Sequence, residues 1–357
     1  MPGIYLHIPF CRSKCAYCGF YSVPSLKRKG EFLAELEKEI YERKDYLHGS
    51  PVDTVYFGGG TPSLLTIEEL KTIKGWLHHT YLINKDAEVT LEANPDTLSP
   101  DYLMAVRKLG VNRLSIGIQS FFDNDLKYLS RRHDSQHALQ CVGWAKAAGF
   151  ENISLDLIYG LPTSDANQWT RNLDLFIEME VPHLSAYALT LEPNAILTKQ
   201  IEKGMVPPVN EEDAVRDYGI LCQKMKQEGF QHYEISNFCK PGMHSRHNSS
   251  YWLGVPYLGL GPSAHSYDGV SRQWDDEKEV LSPEQVYDEY VMLRLRTSWG
   301  VDLEHIKQVM GQRFADHCQK QAEPLVAQGR LSLKDNILSL SDEQMLFADG
   351  IAEELFW

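Results

Sequence analysis

Six short β-rich runs, at 4–8, 54–57, 88–92, 113–118, 153–158 and 183–189, alternate with amphipathic stretches at 29–43, 67–79, 100–109, 135–148 and 167–179. Strands joined through a helix run parallel, because the crossover returns the chain to the same end of the sheet. Eight such units close a barrel. The six found here predict an α/β fold, an open, partial (β/α)6 TIM-type barrel. A helix is expected near 213–228, followed by a turn-rich span from 237 to 271. The Gly, Pro and aromatic content of that span suggests an ordered cap over the barrel mouth. From about 282 the pattern reads helix, helix, helix, then two short strands around Lys334-Asp-Asn336, a small winged-helix-like α+β unit. The expected division is a barrel core over 1–232, a cap and connecting region over 233–281 and a C-terminal unit over 282–357.

In barrels of this kind the loops after the C-terminal ends of the strands carry the chemistry. The unusual residues keep that phase. Cys11-Arg-Ser-Lys-Cys15-Ala-Tyr-Cys18 follows the first strand, Gly58, Gly59 and Gly60 follow the second, and Glu92 ends the third. Gln119 follows the fourth, and Asp156 and Ala188 lie late in the fifth and sixth. Thiolates on so tight a loop suit an iron–sulfur cluster, which normally takes four. Three leave one iron open, as an open position distinguishes a catalytic metal from a structural one. The other reading is a zinc loop or a buried thiol cluster, but zinc sites usually pair C-x2-C with a second half, and none is present. The remaining cysteines, Cys141, Cys222, Cys239 and Cys318, are dispersed, and the total of seven is odd. That argues against a disulfide framework.

The formal net charge is −14, with Lys and Arg scattered. A nucleic-acid partner would need a basic face to displace phosphate counterions, so none is expected. No apolar run approaches the roughly 20 residues of a membrane span. The first residues show no charged region followed by an apolar signal core, and the expected location is the cytoplasm.

The C-x3-C-x-Tyr-C spacing is the signature of the radical S-adenosylmethionine (SAM) superfamily. Its flanks narrow the resemblance: Tyr5-Leu-His-Ile-Pro-Phe-Cys11, Gly58-Gly-Gly-Thr-Pro-Ser63, Asn112-Arg-Leu-Ser-Ile-Gly-Ile-Gln119 and Asp156-Leu-Ile-Tyr-Gly-Leu-Pro162. Together they resemble the coproporphyrinogen III dehydrogenase-like group and, within it, the HemW-type heme chaperones. The resemblance implies a [4Fe–4S] cluster on Cys11, Cys15 and Cys18, with SAM chelating the open iron. It assigns Gly59, Gly60 and Thr61 to the methionine end of SAM. Tyr5 and Tyr17 would pack around SAM or the cysteine loop, with core aromatics as the alternative. Glu92, Gln119, Arg131 and Asp156 would project into the same mouth, Arg131 being hard to separate from Arg132. Ala188 would touch the adenine through its backbone.

Two readings share that machinery. The dehydrogenases of the group typically carry a further cysteine two residues past the triplet, where this chain has Phe20, and a long N-terminal extension, whereas this chain begins ten residues before Cys11. His247-Asn-Ser-Ser-Tyr251-Trp252 matches the H-N-x-x-Y-W motif of the chaperones. Imidazole is a common axial ligand of heme iron, so His247 is the expected ligand, with Tyr251 and Trp252 against the macrocycle. The alternative is a hydrogen-bonded loop histidine and a packing anchor, with His7, His244 and His265 as further possible ligands. The expected function is to bind heme and pass it to an acceptor protein, the cluster and SAM being structural, regulatory or catalytic in transfer. If radical chemistry occurs, a flavodoxin-like or ferredoxin-like donor would supply the electron. A transient membrane-protein partner is compatible with this role. The second reading is oxygen-independent oxidative decarboxylation of coproporphyrinogen III by a 5′-deoxyadenosyl radical.

Overall fold

The period of two along the β-rich runs becomes an inside and an outside. The computed structural model describes residues 1–275 and 277–357. Its first strands are β1 (Gly3–Ile8), β2 (Val52–Gly59), β3 (Ile83–Ala93), β4 (Arg113–Gln119), β5 (Asn152–Tyr159) and β6 (His183–Ala188). Every neighbouring pair among them is parallel. The crossovers are α1 (Lys29–Glu42), α2 (Ile67–Thr80), α3 (Pro100–Lys108), α4 (Asp123–Tyr128), α5 (Ser135–Ala147) and α6 (Ala166–Glu178). Ile4, Leu6, Ile8, Val55, Phe57, Leu114, Leu155 and Leu157 alternate outward and pack with the helices' Leu36, Ile40, Ile73 and Phe176 in one core. Each such burial stabilises by roughly 1.5–3 kcal/mol. The intervening residues are polar and bond to one another across the concave face, as Tyr56 to Glu92, Ser115 to Asp156 and Ser154 to His183. The lumen is thus a polar network, unlike the packed apolar interior of a closed barrel.

The helices start and stop where their sequence says. Thr66 and Glu69 form a capping box at α2, with Glu69 N–H donating to Thr66 Oγ1 at 3.2 Å and Thr66 N–H to Glu69 Oε2 at 2.8 Å. Gly110, at φ 92°, ends α3 and lets Val111 N–H turn back to Val106 O at 3.2 Å.

Beyond β6 come α7 (Ile196–Glu202), α8 (Glu211–Gln227), β7 (Gln231–Glu234), β8 (Asn237–Cys239), α9 (Arg246–Trp252), β9 (Tyr257–Leu260), β10 (His265–Tyr267), β11 (Ser271–Trp274) and β12 (Glu277–Val280). Here the structure departs from the expected cap. β8 pairs antiparallel with β6, while β9 pairs parallel with β1 and starts an antiparallel ribbon of β10 to β12. The resulting sheet has 12 strands, ordered β12-β11-β10-β9-β1-β2-β3-β4-β5-β6-β8-β7. The segment therefore extends both sheet edges, and α9 sits at the N-terminal end of the strands, opposite the mouth. Glu88 holds it there, accepting Arg246 N–H at 3.1 Å and His247 N–H at 3.0 Å.

The C-terminal region contains α10 (Pro283–Leu295), β13 (Val301–Asp302), α11 (Leu303–His305) leading into a π turn over Ile306–Met310, α12 (Gln312–Ala327), β14 (Ser332–Lys334), β15 (Ile337–Ser339) and α13 (Ala348–Glu353). The hairpin β14–β15 turns through Asp335 and Asn336, at φ 51° and 64°, and β13 adds a third antiparallel strand. Its core residues Tyr287, Val291, Phe314 and Leu338 belong to the same apolar cluster as the barrel. Among the described residues no helix is long and apolar enough to cross a membrane.

Candidate functional site

After β1 the chain enters the cysteine loop, which is anchored on the far side of the mouth. Ala16, fully buried against Leu129, Leu161 and Leu197, donates its N–H to Leu129 O at 3.2 Å and accepts from Leu197 N–H at 2.7 Å. Cys11, Cys15 and Cys18 are free, half-buried, and line one cleft. Among the described residues no trio of His, Cys, Asp or Glu converges on a single ion. A cubane instead spreads its thiolates over separate irons, and this loop offers three. The sulfurs also have polar neighbours. Thr61 Oγ1 lies 3.5 Å from Cys11 Sγ, and Arg131 Nη1 lies 3.3 Å from Cys15 Sγ. Arg131 Nη2 donates to Asn94 Oδ1 at 2.6 Å and Gly117 O at 2.7 Å, and Asn94 Nδ2 donates to Thr61 Oγ1 at 3.0 Å. Its Nε is buried without a partner among the described residues. Arg131 thus separates plainly from Arg132, which is largely exposed beside Asp96.

The cleft holds about 1350 Å3 of space open to solvent. Tyr17, Gly59, Gly60, Thr61, Glu92, Gln119, Arg131, Asp156 and Ala188 all line it, together with the cysteines. The glycines have a local reason as well. A Cβ on Gly60 would lie 2.7 Å from Phe10 O, and one on Gly59, at φ 106°, would lie 2.7 Å from the His7 ring. The turn must press against the start of the cysteine loop, and Gly60 N–H donates to Ile8 O at 2.8 Å. Glu92 pins the same turn, accepting Gly59 N–H at 3.1 Å and Tyr56 O–H at 2.8 Å. Gln119 adopts φ 69° where the β4–β5 register shifts, an uncommon backbone for a residue with a side chain.

Two carboxyls sit deep in this cleft. Burial pushes Glu92 up to about 7, with Asp156 adding to the rise and the bonds from Tyr56 and Gly59 opposing it. Burial pushes Asp156 up to about 6, against the bonds from Ser115 and Ser185 and the charges of Arg113 and Arg131. Such a pair of poised acceptors, three thiols and a buried guanidinium could hold an iron–sulfur cluster and a cationic, polar ligand of it.

Tyr5, by contrast, does not line the cleft. Its ring stacks near Tyr56 at 6.0 Å, its O–H meets His7 Nδ1 at 3.2 Å, and it faces a second chamber with Tyr251 and Trp252. His247 corrects the sequence expectation of an axial ligand. It is buried, with Nδ1 2.7 Å from Thr54 Oγ1 and Nε2 2.8 Å from Tyr251 O–H. Both ring nitrogens are taken, so none is free to meet an iron. Burial lowers its pKa to about 3, and it stacks on Tyr56 at 4.9 Å. It is the hydrogen-bonded histidine of the alternative reading, tying α9 to β2. Sequence reasoning missed Asn94, Ser115 and Tyr187 in the cleft; Ser115 stood inside a quoted motif, and Asn94 two residues past Glu92 in the strand-end phase. Tyr251 and Trp252 of the H-N-x-x-Y-W motif, with His7 and His265 of the further histidines, line the second chamber; its C-terminal wall had no sequence signal.

Residues 5–176 match the radical SAM superfamily, and residues 281–347 match the HemN C-terminal domain. The heme chaperone HemW of Mycobacterium tuberculosis is 32% identical, covering 99% of this chain and 94% of its own length. That of Bacillus subtilis is 31% identical over 98% of both. That of Escherichia coli is 38% identical over 74% of this chain and 69% of its own. The solved structure of the radical SAM enzyme HemN, coproporphyrinogen III oxidase of Escherichia coli, superposes with a TM-score of 0.85 at 23% identity, covering 99% of this chain and 90% of that one, a likeness of fold. With identity above 30% along nearly its whole length, the chain belongs to the HemW family of radical SAM proteins.

Proposed function

We propose that this protein is a heme chaperone of the radical SAM type, which binds heme and hands it to an acceptor protein. Cys11, Cys15 and Cys18 hold a [4Fe–4S] cluster, and Tyr17, Gly59, Gly60, Thr61, Glu92, Gln119, Arg131, Asp156 and Ala188 hold SAM beside it. When bound, the cluster and SAM supply reductive cleavage of a SAM carbon–sulfur bond. The chain's own residues orient and shield them: Arg131 places positive charge at Cys15, Glu92 fixes the glycine turn, and Ala16 ties the loop across the mouth. The protein acts in the cytoplasm, drawing on a flavodoxin-like or ferredoxin-like donor if SAM turns over, and a membrane-bound acceptor would be met transiently. The barrel over 1–232 carries the cluster, 233–281 connects it, and 282–357 completes the cargo side.

The observation that carries this reading is that the cluster cleft shares Gly19 and Phe20 with a larger aromatic-walled chamber of about 2330 Å3. The part of it that a bound molecule could fill, about 1030 Å3, lies at the top of the roughly 300–1,000 Å3 range of small-molecule sites. The test is an anaerobic comparison of the reconstituted protein with a coproporphyrinogen dehydrogenase, given SAM, reductant and coproporphyrinogen III. The expected result is hemin binding and no protoporphyrinogen. Protoporphyrinogen formed at the dehydrogenase's rate would overturn the chaperone reading.

The poised carboxyls give this site a pH signature. SAM carries a sulfonium, a fixed cation that favours ionised neighbours. With pKa values raised to about 7 and about 6, Glu92 and Asp156 are partly or wholly protonated at pH 6 and must lose a proton as the cation binds. SAM affinity is therefore expected to rise with pH through this window, by at most about tenfold per unit for each proton released. Anaerobic calorimetry at pH 6, 7 and 8 checks it; an affinity flat over that range would remove both carboxyls from the charged end of SAM.

A further inference from the structure

The second chamber lies between the barrel and the C-terminal unit. One wall is a face of α10, where Val286, Tyr290, Leu293 and Arg294 recur at helical spacing. Tyr251 and Tyr257 stand opposite, at the end of α9 and on β9. Phe20 borders the chamber and is 70% exposed, and Val309 on the π turn is 66% exposed. Large apolar side chains held open around one cavity suit a flat apolar ligand. Between them stand charged and polar groups: Arg272, Arg294, Glu289, Ser263 and histidines.

Arg294 is the decisive one. Its Nε and Nη1 are buried without a hydrogen-bond partner among the described residues, and its guanidinium lies 5.6 Å from the Tyr290 ring centre. A buried guanidinium with idle donors costs stability unless an anion meets it, and the planar fork matches a carboxylate. Arg272, the chamber's other arginine, is already paired with Glu289. Three histidines also line the chamber. His7 is spent, with Nδ1 on Tyr5 O–H and Nε2 on Tyr21 O at 2.9 Å. His265 is exposed, but it stacks on Trp274 of β11, 5.6 Å between ring centres, and so shares no ring with Arg294. His305 is exposed and stacks on the same Tyr290 ring, at 4.9 Å and 21°. It also opens into the π turn Ile306–Met310, a rare helical irregularity that is frequent at functional sites.

We infer that this chamber holds the heme, with His305 as the axial ligand of the iron and Arg294 as the anchor of a propionate. The inference rests on the chaperone reading and names its binding residues. Imidazole and guanidinium share one aromatic ring, so ligand and anchor lie at one end, and Phe20 lies at the wall towards the cluster cleft.

The test titrates the full-length, cluster-loaded protein with three probes: hemin, metal-free protoporphyrin IX and its dimethyl ester. His305→Ala is expected to weaken hemin by at least about tenfold and change its Soret band, while metal-free protoporphyrin binds as before. Arg294→Met is expected to weaken both free acids by about tenfold and leave the ester unaffected, since only the carboxylate contact is lost. His265→Ala is expected to leave the hemin spectrum as it is. Iron content and thermal midpoint of each variant report folding. If wild-type protein binds hemin but both variants titrate as it does, or if the band follows His265, the assignment is overturned while the chaperone reading stands. If wild-type protein binds no hemin, both fall.

Discussion

Replacement of Cys15 by alanine leaves the anaerobically reconstituted protein without its cluster, its iron falling from about four per chain to near zero. The expectation follows from the number of ligands. The loop supplies three thiols to one cleft, and among the described residues no other cysteine lines it. Loss of one leaves two thiolates to hold a cubane, with no spare donor to replace the third. Cys15 is also the sulfur nearest Arg131, at 3.3 Å from Nη1. Its removal therefore takes a partner from a cation whose Nε already has none among the described residues. Cys141→Ala is the matched control, because that thiol is buried in α5, away from the cleft, and donates to Ala138 O at 3.3 Å. Iron and sulfide assays with the spectrum of the reduced protein check the pair. Full iron in the Cys15 variant would sink the assignment of the cluster to this loop.

His247→Ala is expected to lower stability by about 3–5 kcal/mol while leaving the hemin Soret band in place. The cost has two parts. Thr54 Oγ1 and Tyr251 O–H each lose a buried partner, at roughly 1–3 kcal/mol apiece. The ring's contact with Tyr56, 4.9 Å between centres, is replaced by a void. Stability is also expected to fall with acid. The folded pKa is lowered to about 3 by burial, so the contribution of the neutral ring is present above its usual value of about 6.5 and is lost as pH falls towards 3. Thermal unfolding of wild type and variant, with a hemin titration of each, separates the roles. A changed Soret band at unchanged stability would return His247 to the iron.

These two residues mark how much could be read from the chain. The cysteine triplet is local chemistry, and six strands with their crossovers were legible because the period of two and the helix caps are local as well. The same phase brought Glu92, Gln119 and Asp156 to one cleft. Tyr5 sat in the right alternation but too early in its strand, so it lines the second chamber rather than the cleft. His247 was beyond sequence for a different reason: its partner Thr54 is 193 residues away, and only the folded sheet brings them together. The cap was misplaced likewise, since pairing of β8 with β6 and of β9 with β1 is non-local and carries no composition of its own. Arg294 and His305 have no motif; they matter because a helix and a π turn from the C-terminal unit close over the barrel's edge.

The position of β1 inside the sheet has a consequence for how the protein is made. The strand that leads into the cysteine loop is flanked by β2 and by Tyr257–Leu260. On a ribosome adding roughly 5–20 residues per second, some 250 residues must follow β1 before that second neighbour exists, an interval of about 12–50 seconds. Until then the loop's thiols belong to a nascent chain whose barrel has an open edge. The strand that leads into the cysteine loop therefore gains its full ladder of sheet hydrogen bonds only once Tyr257–Leu260 has been made, and keeps one unpaired edge until then.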